Sequence, residues 1–295
     1  MRMSKRSIVV TGGSSGFGRI TALEMARRGW RVFATVRQEE HREALLSEAA
    51  ASGCKDNLVP LLCDITHPEQ VAVLAQRVEE LLRDNAATQN EAVPRLDALL
   101  NNAGGAYGGP LELLPIEDLR AQLELNVVAQ VSVTQALLPL LKAAKGTIIN
   151  VSSINGRVAM PIVGAYAASK FALEAISDAL RVELAPFGVR VVVIEPDSSP
   201  TGIWKTSMQR ALPRLDAHRS GPYGRLLHVS ERMVQRSSRV GFPARLFADT
   251  VVKILNSPHP RARYPIPASA ARVILLRRFL PDRLWDTLVR RMLKW

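Results

Sequence analysis

Two residues four positions apart carry the clearest chemistry in this chain of 295 residues. In Tyr166-Ala167-Ala168-Ser169-Lys170 a phenol and an ammonium stand at i and i+4, so on a helix they share one face. A phenol ordinarily loses its proton only near pH ~10. A neighbouring ammonium favours the phenolate, so Tyr166 is expected to be lowered towards acid–base work at neutral pH. Lys170 can also donate to a sugar hydroxyl. Ser153 precedes Tyr166 by 13 residues and can hold a substrate oxygen. Ser152 is its rival, since the two alternate sides of an extended chain. Asn126 lies mid-way along an apolar stretch of helical length, a poor place for Asn by propensity. Plain alternatives stand beside these: Tyr166 as a core residue, Asn126 as a satisfied core amide.

A second constellation is Thr11-Gly12-Gly13-Ser14-Ser15-Gly16-Phe17-Gly18, between a β-branched run and a helical stretch. Glycines at 12, 16 and 18 permit a tight turn and close approach of backbone to a pyrophosphate. The positive end of the next helix then faces the phosphates. A dinucleotide site is expected here, with a bare βα turn as the plain alternative. An acid about 20 positions beyond the glycines would bind an NAD ribose. Instead Ala34-Thr35-Val36 ends in Arg37, a partner for a 2′-phosphate. NADP(H) is therefore the preferred cofactor and NAD(H) the alternative, with Arg37 as a solvated turn residue if neither uses it. Glu39 and Glu40 open the next helix, where acids suit the dipole.

These groups need a scaffold that gathers strand ends. Apolar β-branched runs at 8–11, 31–36, 58–63, 98–101, 147–151 and 189–194 suit strands covered on both faces. Helical stretches at 18–28, 39–51, 68–82, 116–141 and 165–185 separate them, and a polar surface loop is expected over 85–94. Successive βα units imply an α/β doubly wound parallel sheet with helices on both faces and ligands at the carboxyl strand ends. With 47% hydrophobic and 22% charged residues, wholesale disorder is excluded. Two cysteines, Cys54 and Cys63, cannot build a disulfide framework or a four-cysteine zinc site. No metal is expected, and a reducing, cytoplasmic setting fits. No signal-peptide apolar region precedes the first strand. The uncharged stretch 125–141 contains several polar residues and reads as a buried helix.

The spacing Thr-Gly-x3-Gly-x-Gly resembles the short-chain dehydrogenase/reductase family, and the resemblance continues in order over residues 7–201. Asp64-Ile65 resembles its adenine-contacting pair, and Asn101-Asn102-Ala103-Gly104 its element after the fourth strand. Asn126, Ser153, Tyr166 and Lys170 fall at its four catalytic positions, which favours Ser153 over Ser152. The resemblance implies a Rossmann fold, hydride transfer between a nicotinamide and a carbinol or carbonyl carbon, and a water held by Asn126 that links Lys170 to solvent. It also implies a homo-oligomer, dimer or tetramer, through 116–141 and 165–185. It assigns cofactor contacts to Gly12, Ser14, Ser15, Gly16, Phe17, Gly18, Asp64, Ile65, Asn102, Ala103, Gly104, Tyr166, Lys170, Pro196 and Thr201. Where the family has Pro-Gly, this chain has Pro196-Asp197. A carboxylate there is expected to restrict the loop and to place negative charge near the nicotinamide.

The formal net charge is +12, but residues 1–204 carry 20 basic and 22 acidic side chains, and residues 205–295 carry 19 and 5. A single domain is expected, with a core at 1–197, a mobile substrate lid at 198–240 and a basic helical C-terminal extension at 241–295. Helices are expected over 243–255 and 270–295, the latter broken at Pro281. Val158, Met160, Ile162, Ile203, Trp204 and Met208 either line a lipophilic pocket or pack the lid. The extended tail resembles the 17β-hydroxysteroid and retinol dehydrogenase branch, which implies steroid, retinoid or similar substrates. A reductase of small polar ketones or quinones is the rival enzyme, and a dinucleotide-binding scaffold or sensor the rival from another class. No nucleic-acid recognition motif is present. The last helix sets Leu284, Trp285, Leu288, Val289, Met292 and Leu293 opposite Arg283, Asp286, Arg290, Arg291 and Lys294. That pattern fits peripheral contact with an anionic membrane, and equally a helix packed on the body.

Overall fold

The computed structural model describes residues 5–89, 93–200, 202–237, 241–293 and 295. Seven strands form one parallel sheet in the order β3-β2-β1-β4-β5-β6-β7. They are β1 (Ser7–Val10), β2 (Arg31–Val36), β3 (Leu58–Leu62), β4 (Ala98–Asn101), β5 (Thr147–Val151), β6 (Arg190–Pro196) and β7 (Arg263–Ile266). The crossovers are α1 (Gly16–Arg27), α2 (Glu39–Ala51), α3 (Pro68–Gln89), α4 (Ile116–Leu123) with α5 (Ala129–Ala144), and α6 (Gly164–Glu183). Between β6 and β7 come α7 (Ile203–Leu215), α8 (Gly224–Ser237) and α9 (Ala244–Asn256). After β7 follow α10 (Ala270–Phe279) and α11 (Asp282–Leu293).

Period-two alternation splits the core. Ile8 and Val10 point into a layer with α1, α2 and α9, while Val9, Leu99 and Ile148 point into a layer with α3 and α5. The sheet is thus covered on both faces, as the apolar strands require. Strand order reverses at β1, flanked by β2 and β4, so the first and fourth crossovers diverge and leave a crevice at their carboxyl ends. A buried polar ladder fixes those ends. Asn101 Nδ2 on β4 donates to Thr134 Oγ1 on α5 (2.8 Å) and to Asn150 Oδ1 on β5 (2.9 Å), and Asn150 Nδ2 donates to Ser177 Oγ on α6 (2.8 Å).

Four expectations need correction. The polar loop over 85–94 does not begin at 85, because α3 runs on to Gln89, and no Gly or Pro interrupts the chain before Pro94. The stretch 116–141 is not one regular helix. A π-turn over Glu124–Val128, in which the Ala129 N–H reaches the Glu124 carbonyl, joins α4 to α5. The described part of segment 198–240 is more regular than its Ser, Arg and Pro content announces, because α7 and α8 bury Ala211, Leu215 and Leu227 together. A seventh strand, Arg-Tyr-Pro-Ile, escaped the pattern because it is short and carries Pro265, tolerable on a sheet edge. Residues 116–144 are long and apolar enough to cross a membrane by length and composition, but Val133, Leu137 and Leu141 lie in the core beneath the sheet.

Candidate active site

The glycine loop is held from three sides. The Gly12 N–H donates to Thr35 Oγ1 (3.0 Å) and the Gly13 N–H to the Thr35 carbonyl (2.7 Å). Asn102 Nδ2 donates to the Thr11 carbonyl (2.8 Å), and Thr11 Oγ1 accepts the N–H groups of Asn102 and Ala103 (both 2.9 Å). Gly12 has φ +71° and Gly16 φ +54°, a region L side chains avoid. A Cβ on Gly18 would stand 2.2 Å from the Gly12 carbonyl oxygen, so the helix start can come this close only as glycine. Ser15 precedes α1 with no side-chain cap, and Ser14 and Gly16 are half-buried beside it. The Phe17 ring turns away and stacks on Phe247 at 4.3 Å and on Phe242 at 5.6 Å, so only its backbone belongs to the loop.

At the neighbouring strand ends, Arg37 is exposed and lies 4.0 Å from Asp64 Oδ2. Burial would raise the Asp64 carboxyl, but hydrogen bonds from Thr66 and the charges of Arg37 and His67 hold it below the ordinary value. The Ile65 side chain is buried in the lower core, away from the crevice. Gly104 is exposed after β4. Three amides spaced four apart, Gln122, Asn126 and Gln130, clamp the segment that follows. Gln122 accepts from the Tyr107 N–H (2.8 Å) and donates to the Gly105 carbonyl (2.9 Å), and Gln130 donates to the Ala103 carbonyl. Asn126, fully buried on the π-turn, exchanges two 3.0 Å bonds with Gly105 and donates to Ser169 Oγ (3.0 Å).

Three of the four residues chosen for chemistry meet at the carboxyl ends of β5 and β6, while Asn126 stands apart at the segment after β4 and reaches α6 only through Ser169. Tyr166 and Lys170 share one face of α6, both buried, with Lys170 Nζ 5.7 Å from the Tyr166 ring centroid. Ser153 Oγ donates to the Pro196 carbonyl (3.3 Å) and accepts the Asn155 N–H (3.1 Å), and it lies close enough to the Tyr166 hydroxyl to lower its pKa. Ser152 turns to the other side. Its unpartnered Oγ lies where a Cβ on Gly156 would come within 2.5 Å. Trp204 on α7 sets its edge against the Tyr166 ring at 5.2 Å. Thr201 lies outside the described residues.

The electrostatics differ from the sequence expectation. Burial pushes the Tyr166 phenol up to about 12, with only the Ser153 hydrogen bond opposing it. Burial also holds the Lys170 ammonium down at about 8, against the pull of Glu174. Lys170 donates to the Val151 carbonyl (2.7 Å), so its charge is directed at backbone and not at the phenol oxygen. Asp197 differs too. Its φ is not positive, its N–H donates to the Ile266 carbonyl (2.7 Å), and its Oδ1 accepts the Ser198 N–H (2.7 Å). An aspartate therefore occupies this turn without backbone strain.

Comparison with known proteins agrees with this geometry. The family model described as short chain dehydrogenase matches residues 6–213. The chain is a short-chain dehydrogenase. An uncharacterized oxidoreductase of Bacillus subtilis (strain 168), YusZ, is 35% identical over 99% of both chains. The NADPH-dependent 3-dehydrocapnine reductase of Ornithobacterium rhinotracheale is 32% identical over 98% of both. Retinol dehydrogenase 16 of Homo sapiens is 34% identical over 96% of this chain and 87% of its own. Among solved structures, a short-chain dehydrogenase from Streptomyces avermitilis is similar with a TM-score of 0.74 and 27% identity, covering 99% of this chain and 97% of that one.

This dehydrogenase is accordingly an NAD(P)-dependent oxidoreductase. Its own residues fit such a cofactor, because the cradle at Gly12, Gly16 and Gly18 is one that any Cβ would fill or strain. Behind the site lies a buried charge cluster absent from the sequence reading. Glu174, one turn after Lys170, pairs with Arg263 of β7 at 3.0 Å, and Glu195 of β6 pairs with Arg157 at 3.2 Å and Arg263 at 3.7 Å. Burial and then the Glu174 charge raise the Glu195 carboxyl, against both arginines. The signal for Glu174 was its place at i+4 from Lys170 and i+8 from Tyr166. Arg263 could be found only with its strand.

Proposed function

We propose that this short-chain dehydrogenase transfers a hydride between NADP(H) and a lipophilic alcohol or carbonyl compound, with Asn126, Ser153, Tyr166 and Lys170 as its chemical residues. The observation that carries this reading is the Tyr166 hydroxyl, buried beside Ser153, sharing its helix face with Lys170 and set edge-on against Trp204. When bound, the nicotinamide supplies or accepts the hydride. Ser153 holds the substrate oxygen, and Tyr166 donates its proton in reduction and takes it back in oxidation. Lys170, bonded to the Val151 carbonyl, gives its remaining donors to a ribose hydroxyl and acts on the phenol only through its field, 5.7 Å from the ring centroid, and Asn126 keeps α6 in register through Ser169. The glycine loop, with Ser14, Ser15 and the Phe17 backbone, takes the pyrophosphate. Asp64, Asn102, Ala103, Gly104 and Pro196, with the backbone of Ile65, would border the rest of the cofactor, and the family resemblance assigns Thr201 to the same role.

NADP(H) is preferred because β2 ends without an acid and Arg37 stands exposed at its tip. The NADPH dependence named for the Ornithobacterium relative supports the same choice. A lipophilic substrate is supported by Trp204 and by the retinol activity named for the human relative. Met160 and Ile162 pack against α8 and α11, so they shape the site from behind. The chain acts as one unit, with a core at 1–197, a helical lid at 198–240 and a basic extension at 241–295. Exposed Val128 on the π-turn, with Phe171 and Val182 on α6, supports self-association through these helices. A cytoplasmic location suits the free thiols Cys54 and Cys63, and peripheral membrane contact belongs to the same reading. The test is a screen of steroid, retinoid and aliphatic carbonyls with NADPH and NADH oxidation as readouts. Turnover of long apolar carbonyls with NADPH is expected. Turnover confined to small polar ketones, or a lower KM for NADH, would overturn the reading.

A further inference from the structure

We infer that α10 and α11 form a docking face for an anionic lipid bilayer, an inference that rests for its purpose on the lipophilic-substrate reading. The apolar residues of α11 divide between two surroundings. Val289 and Leu293 are buried and, with Trp285, pack on Leu226 of α8 and on Met160 and Ile162, in the segment between Ser153 and Tyr166. Leu284, Leu288 and Met292, one turn apart along the helix, face outward, and Leu284 is 55% exposed. On α10 only Ala270 is buried, while Leu275, Leu276 and Phe279 stand out, Phe279 with 74% of its surface exposed. The amphipathic α11 thus holds the body with one row and leaves a second apolar row uncovered by the described residues, and α10 adds its own exposed Leu275, Leu276 and Phe279.

Charge decides the occupant. The two helices carry six arginines against two aspartates, and Asp282 is already paired with Arg277 at 2.6 Å. Arg272, Arg278, Arg283, Arg290 and Arg291 are all exposed around the apolar row. A second copy docked on this face by two-fold symmetry would set arginines against arginines. An anionic bilayer accepts both components, acyl chains against Leu and Phe, phosphates against the guanidinium groups. A groove of about 460 Å³ lined by Arg157, Arg277, Arg278, Trp285 and Asp286 borders the same helices. Because α11 also grips the 158–162 segment and α8, docking brings both sides of the candidate site to the membrane.

The test is co-sedimentation of the full chain, without nucleotide or substrate, with phosphatidylcholine vesicles and with vesicles containing phosphatidylglycerol. Binding to the anionic vesicles, weakening as salt rises, is expected. Leu276→Glu/Phe279→Glu and Arg278→Glu/Arg283→Glu change only exposed positions. Each should reduce vesicle binding at least about tenfold while turnover of a short soluble carbonyl stays unchanged. Wild-type protein that stays in the supernatant would overturn the docking face. So would equal sedimentation of both variants, or a dimer on gel filtration that the apolar variant dissolves. Sedimentation is read without turnover, so a failed substrate screen leaves this result interpretable on its own.

Discussion

Replacing Lys170 by methionine separates what the ammonium does for catalysis from what its burial does to stability. An ordinary lysine titrates at 10.5, and in the folded chain Lys170 titrates at about 8, chiefly through burial. At 1.36 kcal/mol per unit, that difference is worth about 3 kcal/mol against the charged folded state. The sign follows from proton counting. Below pH 8 both folded and unfolded chains hold the proton, and the full penalty is present. Between pH 8 and 10.5 the folded chain releases it while the unfolded chain keeps it, so folding gains stability as pH rises. Subtracting the methionine variant removes every group common to both proteins, Tyr166 included. The difference in unfolding free energy, wild type minus Lys170→Met, should therefore be flat below pH 8 and climb by about 1.4 kcal/mol per unit above it, reaching about 2.7 kcal/mol by pH 10. At pH 7 the variant also loses the hydrogen bond to the Val151 carbonyl, worth about 1.5–3 kcal/mol, so the two effects nearly offset. Urea melts of nucleotide-free protein at five pH values measure this. A difference that stays level from pH 7 to 10, or declines, would refute the assignment of a buried ammonium at this position.

Five further outcomes are expected. Tyr166→Phe should lower turnover by about 10²–10⁴ and leave the Kd for NADPH within about twofold, by fluorescence titration. The same variant should unfold less readily than wild type above pH 10, where the unfolded phenol ionises while the folded one holds its proton to about 12. Gly18→Ala should destabilise by about 1–3 kcal/mol and weaken NADPH at least about tenfold, while Gly202→Ala, whose Cβ would meet nothing within 4 Å, should do neither. Arg37→Ala should raise the KM for NADPH about tenfold and leave that for NADH unchanged, in steady-state assays. Asp197→Gly should lose the bond to the Ser198 N–H, destabilise by about 1 kcal/mol in melts, and shift the ratio of NADP to NADPH affinity towards the reduced form.

Position in the chain was easier to read than environment. Tyr166 and Lys170 share a helix face because i and i+4 must, and Gly18 abuts Gly12 because the βα turn leaves no alternative. The six apolar strands were legible because a parallel strand covered on both faces has no polar side to hide it. What the sequence withheld depends on partners distant along the chain. Arg263 meets Glu174 at 89 residues' separation, through a strand too short and too polar to declare itself. The direction of the Tyr166 shift failed for the same reason. Spacing announced a nearby ammonium, but burial and the Val151 carbonyl decide where that charge acts. The apolar stripe of α11 was read as one face, and the body takes only half of it, because Leu226, Met160 and Ile162 reach one row and not the next.

The same distinction explains why so many polar groups are buried near the site. Gln122, Asn126 and Gln130 lie on one side of a helix that changes pitch between the first and the last of them. A regular helix would carry residues at i, i+4 and i+8 slowly around its axis, and the π-turn resets that drift so that all three amides meet the 103–107 segment. Each amide costs desolvation, and Gln130 Oε1 finds no partner among the described residues, so apolar packing would serve stability as well. Directional bonds do what packing cannot. They fix the segment after β4 relative to Ser169, and through α6 relative to Tyr166 and Lys170. Ile162 shows the same priority, held at φ +71° where a β-branched residue is strained, with its carbonyl bonded to Gly109. Ile162 and the three amides thus lie on segments that frame Tyr166, whereas the other non-glycine residue at positive φ among those described, Lys145, merely ends α5 in the turn before β5.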